Sequence, residues 1–303
     1  MSVSIGLKIF GVLFMVRAIV ALFHPTTFAS LLNYPPTDTH GVGGFLGIGA
    51  KKEDVVSPDE VKSALMITQF YGLVQSGLSG LALSTARAAD PRTMAVTAVG
   101  LGMVTTSFSV YGYIAVTPLA AKLGFATSTI VRLLVPYLIL ATYLIYAGLQ
   151  SMKTSKAAKQ PLSKSGRAMG LCALFSIAQG LPLVLLTEVW FSKFRGDESP
   201  EMHETTTAVI MALAPLWGIC IAGGAMVRLA IISVGHTASI YAANRATAIY
   251  YAMLVGTIAM AKTYSSNAPG PMTVQLYAAF TYFALSYFGG TVADDMAAKA
   301  KGK

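Results

Sequence analysis

Residues 206–234 read TTAVIMALAPLWGICIAGGAMVRLAIISV, and Arg228 is their sole charge. A helix rises about 1.5 Å per residue, so this run is long enough to cross about 30 Å of hydrocarbon. Its apolar residues form one continuous block rather than a stripe on one face, which is the pattern of a helix surrounded by lipid and other helices. Seven more blocks of this kind lie at roughly 5–23, 63–86, 93–115, 127–149, 168–190, 245–264 and 272–293. The expected fold class is therefore all-α: a polytopic integral membrane protein with about eight transmembrane helices.

Composition points the same way. The chain has 303 residues, 54% hydrophobic and 12% charged, with a mean hydropathy of +0.62. Soluble proteins carry about 25% charged residues, and half of that cannot cover a soluble body of this size. Cys172 and Cys220 both lie inside apolar blocks, which excludes a disulfide framework. The four histidines are too scattered for a zinc or di-iron cluster, so no metal or cofactor is expected. The net charge of +9 sits at the ends of the apolar blocks. It fits a positive-inside bias better than a nucleic-acid groove, and no nucleic-acid partner is expected. The first block, interrupted by Lys8 and Arg17, reads as a retained span rather than a cleaved leader.

Topology follows from the basic residues. With the N-terminus inside, twelve Lys and Arg fall on the inner side, seven outside, and Arg17, Arg132 and Arg228 within spans. Of the 13 acids, only Asp90, Asp294 and Asp295 fall inside. Both termini are expected on the matrix, stromal or cytoplasmic side, with a mitochondrial or plastid inner membrane as a candidate location. The longest polar connection, 24–62, is then an outer loop, and 150–167 is an inner loop with five basic residues and no acid.

The chain also echoes itself. Arg92 and Tyr111 correspond to Arg245 and Tyr264 at an offset of 153. Tyr71-Gly72 with Gly77 corresponds to Trp217-Gly218 with Gly223 at 146, and Tyr137 to Phe280 at 143. Ser57-Pro58-Asp59-Glu60, a capping box, is echoed by Ser199-Pro200-Glu201. The reading is a tandem duplication: a four-helix membrane unit at 1–150, a basic linker at 151–166 and a second unit at 167–303. Units with an even number of spans share one orientation, so the repeats are parallel.

Few residues suggest chemistry. The loop Gly41 to Lys52 has the glycine spacing of a phosphate cradle, but Ala50 stands where the lysine belongs, so it reads as a plain loop. His24 and His236 stand at span ends, poorly placed for a haem between facing helices. Gln69, Gln75, Gln179 and Asn244 read first as interhelical hydrogen-bonding groups, and as the lining of a small-solute path second. Gly72, Ser76, Gly80 and Ser84 recur every fourth residue and, with Gly218 in the second unit, read as helix-packing positions. No catalytic group is expected.

The arginines within spans are the main candidates, because intramembrane charge is rare and functional by default. Three readings stand open for Arg17, Arg132 and Arg228: snorkelling to the interface, contact with anionic lipid or an acidic partner subunit, or a transport path. Arg228 with Arg167 and Lys164 is expected to mark one such lipid or partner contact on the inner face.

One unit has a short first span, a long outer loop and three further spans, with a tight Ala-Asp-Pro-Arg turn at Ala89 to Arg92. Together with Gly11 to Phe28 and Gly72 to Gly102, this resembles the DoxX-like class of small four-helix membrane proteins. The resemblance covers under a third of the chain and implies an architecture without a particular activity. The duplicated form, the 150–167 linker and the acidic 197–204 loop depart from it.

The expected function is a non-catalytic accessory subunit of a larger membrane complex, in contact with anionic lipids and other subunits. A candidate setting is an energy-transducing organelle inner membrane. A carrier for a small or lipophilic solute, with its path between the halves, is the alternative, and a quinone- or lipid-active enzyme comes after it.

Overall fold

The computed structural model of the protein describes residues 2–30, 58–88, 90–122, 127–155, 162–189, 192, 204–264 and 270–301. The glycine-rich stretch Gly41 to Lys52 of the expected outer loop, the linker lysines 156 and 159, His40, His203 and the Ser199-Pro200 start lie outside these residues. The described chain is helical throughout: α1 (Val3–Phe23), α2 (Pro25–Ser30), α3 (Pro58–Ala88), α4 (Pro91–Lys122), α5 (Thr127–Thr154), α6 (Lys164–Leu185), α7 (Glu204–Val234), α8 (Thr237–Tyr264), α9 (Gly270–Ala284), a π-helical segment (Leu285–Val292) and α10 (Ala293–Lys301). Among the described residues there is no strand.

The long helices fall where the apolar blocks were read. Five stretches are long and apolar enough to cross a membrane: Val3–Phe23, Pro91–Ala115, Leu134–Thr154, Lys164–Leu185 and Ile210–Val234. Both ends of the expected basic linker are helical, because α5 continues to Thr154 and α6 begins at Lys164.

The helices form an inner and an outer layer. The apolar stretch of α7 is 72% buried within the protein and that of α5 only 22%. Helices α3, α4, α7 and α8 make the inner layer. The outer helices α1, α5, α6 and α9 each pack on one of them, α1 on α3, α5 on α4, α6 on α7 and α9 on α8. Inner helices meet across a central seam, α4 against α7, α3 against α8, and α3 against α7. On α1, Leu7, Phe10, Phe14, Ala18 and Ala21 face inward, while Ile5, Ile9, Val12, Val16 and Ile19 are exposed. A helix apolar on both faces at the surface of a protein presents its outer side to lipid.

In lipid, close packing rather than apolar burial holds helices together, and small residues permit it. A methyl group on Gly72 would lie 2.5 Å from Ala21 Cβ on α1. One on Gly218 would lie 2.7 Å from the Gly180 carbonyl oxygen on α6. The seam is equally tight: methyls on Gly77, Gly100, Gly223 and Gly224 would come within 2.9 Å of Tyr250, Val227, Val104 and Leu78. Phe70 stacks on Trp217 across it, with ring centroids 5.5 Å apart.

The expected four-residue stripe on α3 does not address a single neighbour. Gly72 meets α1, Ser76 donates to its own Leu73 carbonyl at 2.6 Å, and Gly80 comes nearest Ala246 on α8. Four residues advance 400° on a helix of 3.6 residues per turn, so each step drifts about 40° around the axis.

Two acids set the helix starts at one end of the bundle. Asp90 Oδ1 accepts from the Arg92 and Thr93 amides, both at 3.0 Å, and Oδ2 accepts from the Thr93 hydroxyl at 2.6 Å. Oδ2 also accepts from Ser239 Oγ of α8 at 3.1 Å, so this N-cap ties the α3–α4 turn to the other half. Burial pushes the Asp90 carboxyl up, but the Thr93 and Ser239 hydroxyls and the Thr93 and His236 backbone outweigh it and hold it below the usual carboxylate range. A carboxyl depressed by folding stabilises above its unfolded pKa, about 3.9, and that stability is lost as pH falls through the folded value. We expect an acid-side fall in thermal stability that Asp90→Asn lacks, read as melting temperature against pH in detergent. Asp90→Ala should lose about 1 kcal/mol at neutral pH, as N-caps do. The second acid, Asp294, accepts from the Lys164 and Ser165 amides at 3.2 and 3.0 Å and, with Ser163 as N-cap, closes the start of α6.

Candidate functional site

The arginine of α7 lies six residues before the helix end, on the face turned to the seam. Arg228 is 7% exposed. Its Nε donates to the Gly224 carbonyl at 3.3 Å, one turn back, where a residue without a side chain leaves the oxygen open. Its Nη1 donates to Tyr251 Oη at 2.9 Å. Ser176 has one hydroxyl proton and gives it to the Cys172 carbonyl at 2.8 Å. Tyr251 therefore donates to Ser176 Oγ across their 3.0 Å contact. The result is a directed chain from Arg228 through Tyr251 and Ser176 to the backbone of α6. The guanidinium also stands 5.9 Å from the Tyr251 ring centroid, within cation–π range. Tyr251 is itself clasped by Tyr250 and Tyr282, at centroid distances of 5.0 and 5.2 Å.

Beside Arg228 a cavity of about 40 Å³ opens between the halves, bounded by Val74, Gly77 and Leu78 of α3, Cys220 and Gly224 of α7, and Thr247 and Tyr250 of α8. At about 10–15 Å³ of accessible volume per water, it has room for about three water-sized groups.

Arg17, half-buried on α1, lies in a second aromatic setting. Its guanidinium carbon stands 5.4 Å from the Tyr71 ring, 5.4 Å from Phe108 and 5.1 Å from Tyr137. Rings from α3, α4 and α5 thus face a cation from α1. Arg17 on α1 and Arg228 on α7 thus each lie among aromatic side chains.

These positions revise what the sequence suggested. Arg228 was expected with Arg167 and Lys164 at one lipid or partner contact on the inner face. Instead Arg228 turns inward, while Arg167 and Lys164 are exposed on the first turn of α6. Ser176, the α6 residue in the Arg228 chain, lies nine residues beyond Arg167, roughly 13 Å along the helix. The three therefore do not form one site. Arg132 lies on α5, and its side chain is outside the described residues. Gly72 lies against α1 and Gly218 against α6.

The polar residues divide as well. Gln69 Nε2 donates to the Leu22 carbonyl of α1 at 3.2 Å, and Asn244 Nδ2 donates to the Ser286 carbonyl at 2.8 Å and Thr291 Oγ1 at 3.1 Å, so both link helices. The Asn244 and Thr291 bonds to Ser286 accompany the π segment, where the backbone ladder is widened. Gln179 is exposed, while Gln75 is fully buried with neither amide atom hydrogen-bonded. His24 and His236 are exposed at helix ends, and among the described residues no group of His, Cys, Asp or Glu could hold a metal ion.

Tyr251 and Ser176 carry no signal in the sequence that sets them apart. A tyrosine and a serine in apolar helices are ordinary, and only their convergence on Arg228 marks them.

No protein-family model, curated protein or solved structure matches the chain.

Proposed function

We propose that the protein is an eight-span membrane protein of two parallel four-helix units, acting as a non-catalytic accessory subunit of a larger membrane complex. The packing pattern supports the duplication. The pair α1–α3 has its counterpart in α6–α7, and α4–α5 in α8–α9. Across the seam, α3–α8 mirrors α4–α7, and α3 meets its own counterpart α7. A twofold axis along the membrane normal generates this set of pairs. The DoxX-like arrangement of one unit belongs to the same proposal.

The observation that carries the functional reading is the glycine-tight seam. Alternating access needs two halves that rock against each other. Here four glycines lie so close to opposing side chains that a methyl fits only if the opposing side chain shifts, which suits a static body. The exposed apolar side chains of α1, α5, α6 and α9 offer wide faces to lipid or neighbouring subunits, and exposed Lys153, Lys164, Arg167 and Arg245 suit anionic headgroups at the inner end.

Two measurements test this. In a mild-detergent native gel of the source membrane, the chain should co-migrate with a large assembly; migration as a free monomer or dimer refutes the subunit reading. In sealed vesicles, single cysteines at positions 160 and 200 should label from opposite sides. Labelling from the same side removes the eight-span model.

One observation favours the alternative carrier: the Arg228 cavity lies on the seam, where a path between the halves would run. Purified protein in liposomes that passes small anions faster than empty liposomes would establish it.

A further inference from the structure

We infer that the cavity beside Arg228 is a binding site for a small monatomic anion of the halide class, held as the counter-ion of a buried arginine. The guanidinium is more than nine-tenths buried and borders the cavity. Nε and Nη1 are occupied by the Gly224 carbonyl and Tyr251 hydroxyl, and no acceptor among the described residues bonds Nη2. Both acceptors are neutral, so the charge is solvated but not neutralised. The charged or acidic groups that surround Arg228 most closely are Tyr250, Tyr251 and Cys172, and no carboxylate is among them. A lone cation at this depth is unfavourable unless an anion comes to it.

The surroundings suit an anion. The cavity wall carries the hydroxyl-bearing side chains of Ser176, Thr247 and Tyr250 and the thiol of Cys220, and no acid. Ser176 is committed to the Cys172 carbonyl and Thr247 donates to the Ala243 carbonyl at 2.9 Å in the present arrangement. A hydroxyl turns about one bond, so Thr247 can redirect its proton to an arriving ion. The volume selects the class: space for about three water-sized groups admits a halide with a water or two, and excludes a phosphate headgroup with its glycerol. Access is short, since Arg228 stands six residues from the end of α7, roughly 9 Å along the axis. This inference depends on the buried guanidinium and not on membership of a complex, so a free monomer in the native gel leaves it standing.

The test uses the full-length protein purified in detergent. Melting is followed in sodium gluconate and in increasing sodium bromide at constant ionic strength. Gluconate is too large for the cavity. Bromide should raise the melting temperature by several degrees along a saturable curve, because a ligand bound only by the folded state stabilises it. Arg228→Gln should abolish the increment. Thr247→Val keeps the volume and removes one hydroxyl, and should raise the half-saturating bromide concentration about tenfold, the equivalent of one hydrogen bond. Anomalous scattering from bromide-soaked crystals should place the ion against the guanidinium. Equal melting in bromide and gluconate, or an increment unchanged in Arg228→Gln, overturns the proposal and leaves a water-filled cavity. If Arg228→Gln does not fold, an unchanged half-saturation in Thr247→Val overturns it.

Discussion

Gly218→Ala should destabilise the protein by about 2–3 kcal/mol, the upper range of overpacking. The added methyl would meet the Gly180 carbonyl oxygen at 2.7 Å and Leu183 Cβ at 2.7 Å. Neither is the movable tip of a side chain, so relief requires α6 and α7 to separate. The same crossing is tight from the other side: a methyl on Gly180 would lie 2.8 Å from the Ala222 amide nitrogen. The control is Gly256→Ala. Gly256 is exposed on α8 with nothing within 4 Å of an added methyl, and the change should gain up to about 1 kcal/mol of helix propensity. Unfolding of both variants in mixed micelles gives the comparison. Equal stabilities would mean that the helix crossing has slack and that the tight-packing argument fails.

Tyr251→Phe should cost about 2–3 kcal/mol although it removes a single oxygen. That oxygen accepts from Arg228 at 2.9 Å and donates to Ser176 at 3.0 Å. Its loss leaves a buried charge short of an acceptor, and hydrogen bonds to charged groups are the stronger class. The double variant Tyr251→Phe with Arg228→Met should then be more stable than Tyr251→Phe alone, since removing both partners abolishes the desolvation problem. The two unfolding free energies decide it. A double variant less stable than the single would mean that Arg228 stabilises the bundle by packing rather than burdening it with charge.

Part of the candidate site was legible in the residues themselves. Arg17 and Arg228 stood out as charges inside apolar blocks, and the Gly72 and Gly218 positions as small residues where helices cross. Which way each arginine points was not legible. Both helices are apolar on every side, so periodicity lacks the polar face that would orient them. Snorkelling and burial therefore read alike for Arg228. The same blindness covers the stripe on α3, where small residues four apart looked like one contact and divide between α1 and α8.

What the sequence by itself determined is the helical class, the approximate limits of the long helices, and the start of α3 at Pro58. Those follow from local causes: run length against bilayer thickness, a proline at the first helical position, and a polar cap before it. The tertiary structure alone decided the seam, the aromatic settings of Arg17 and Arg228, and the cavity beside the latter. Each depends on side chains brought together over long separations, such as Ser176 with Tyr251 and Asp90 with Ser239. Along helices such as α1 and α7, apolar on every face, burial supplies no pattern to choose such partners. The fit of glycine to backbone and hydroxyl to guanidinium chooses them, and that fit exists only after the helices have docked.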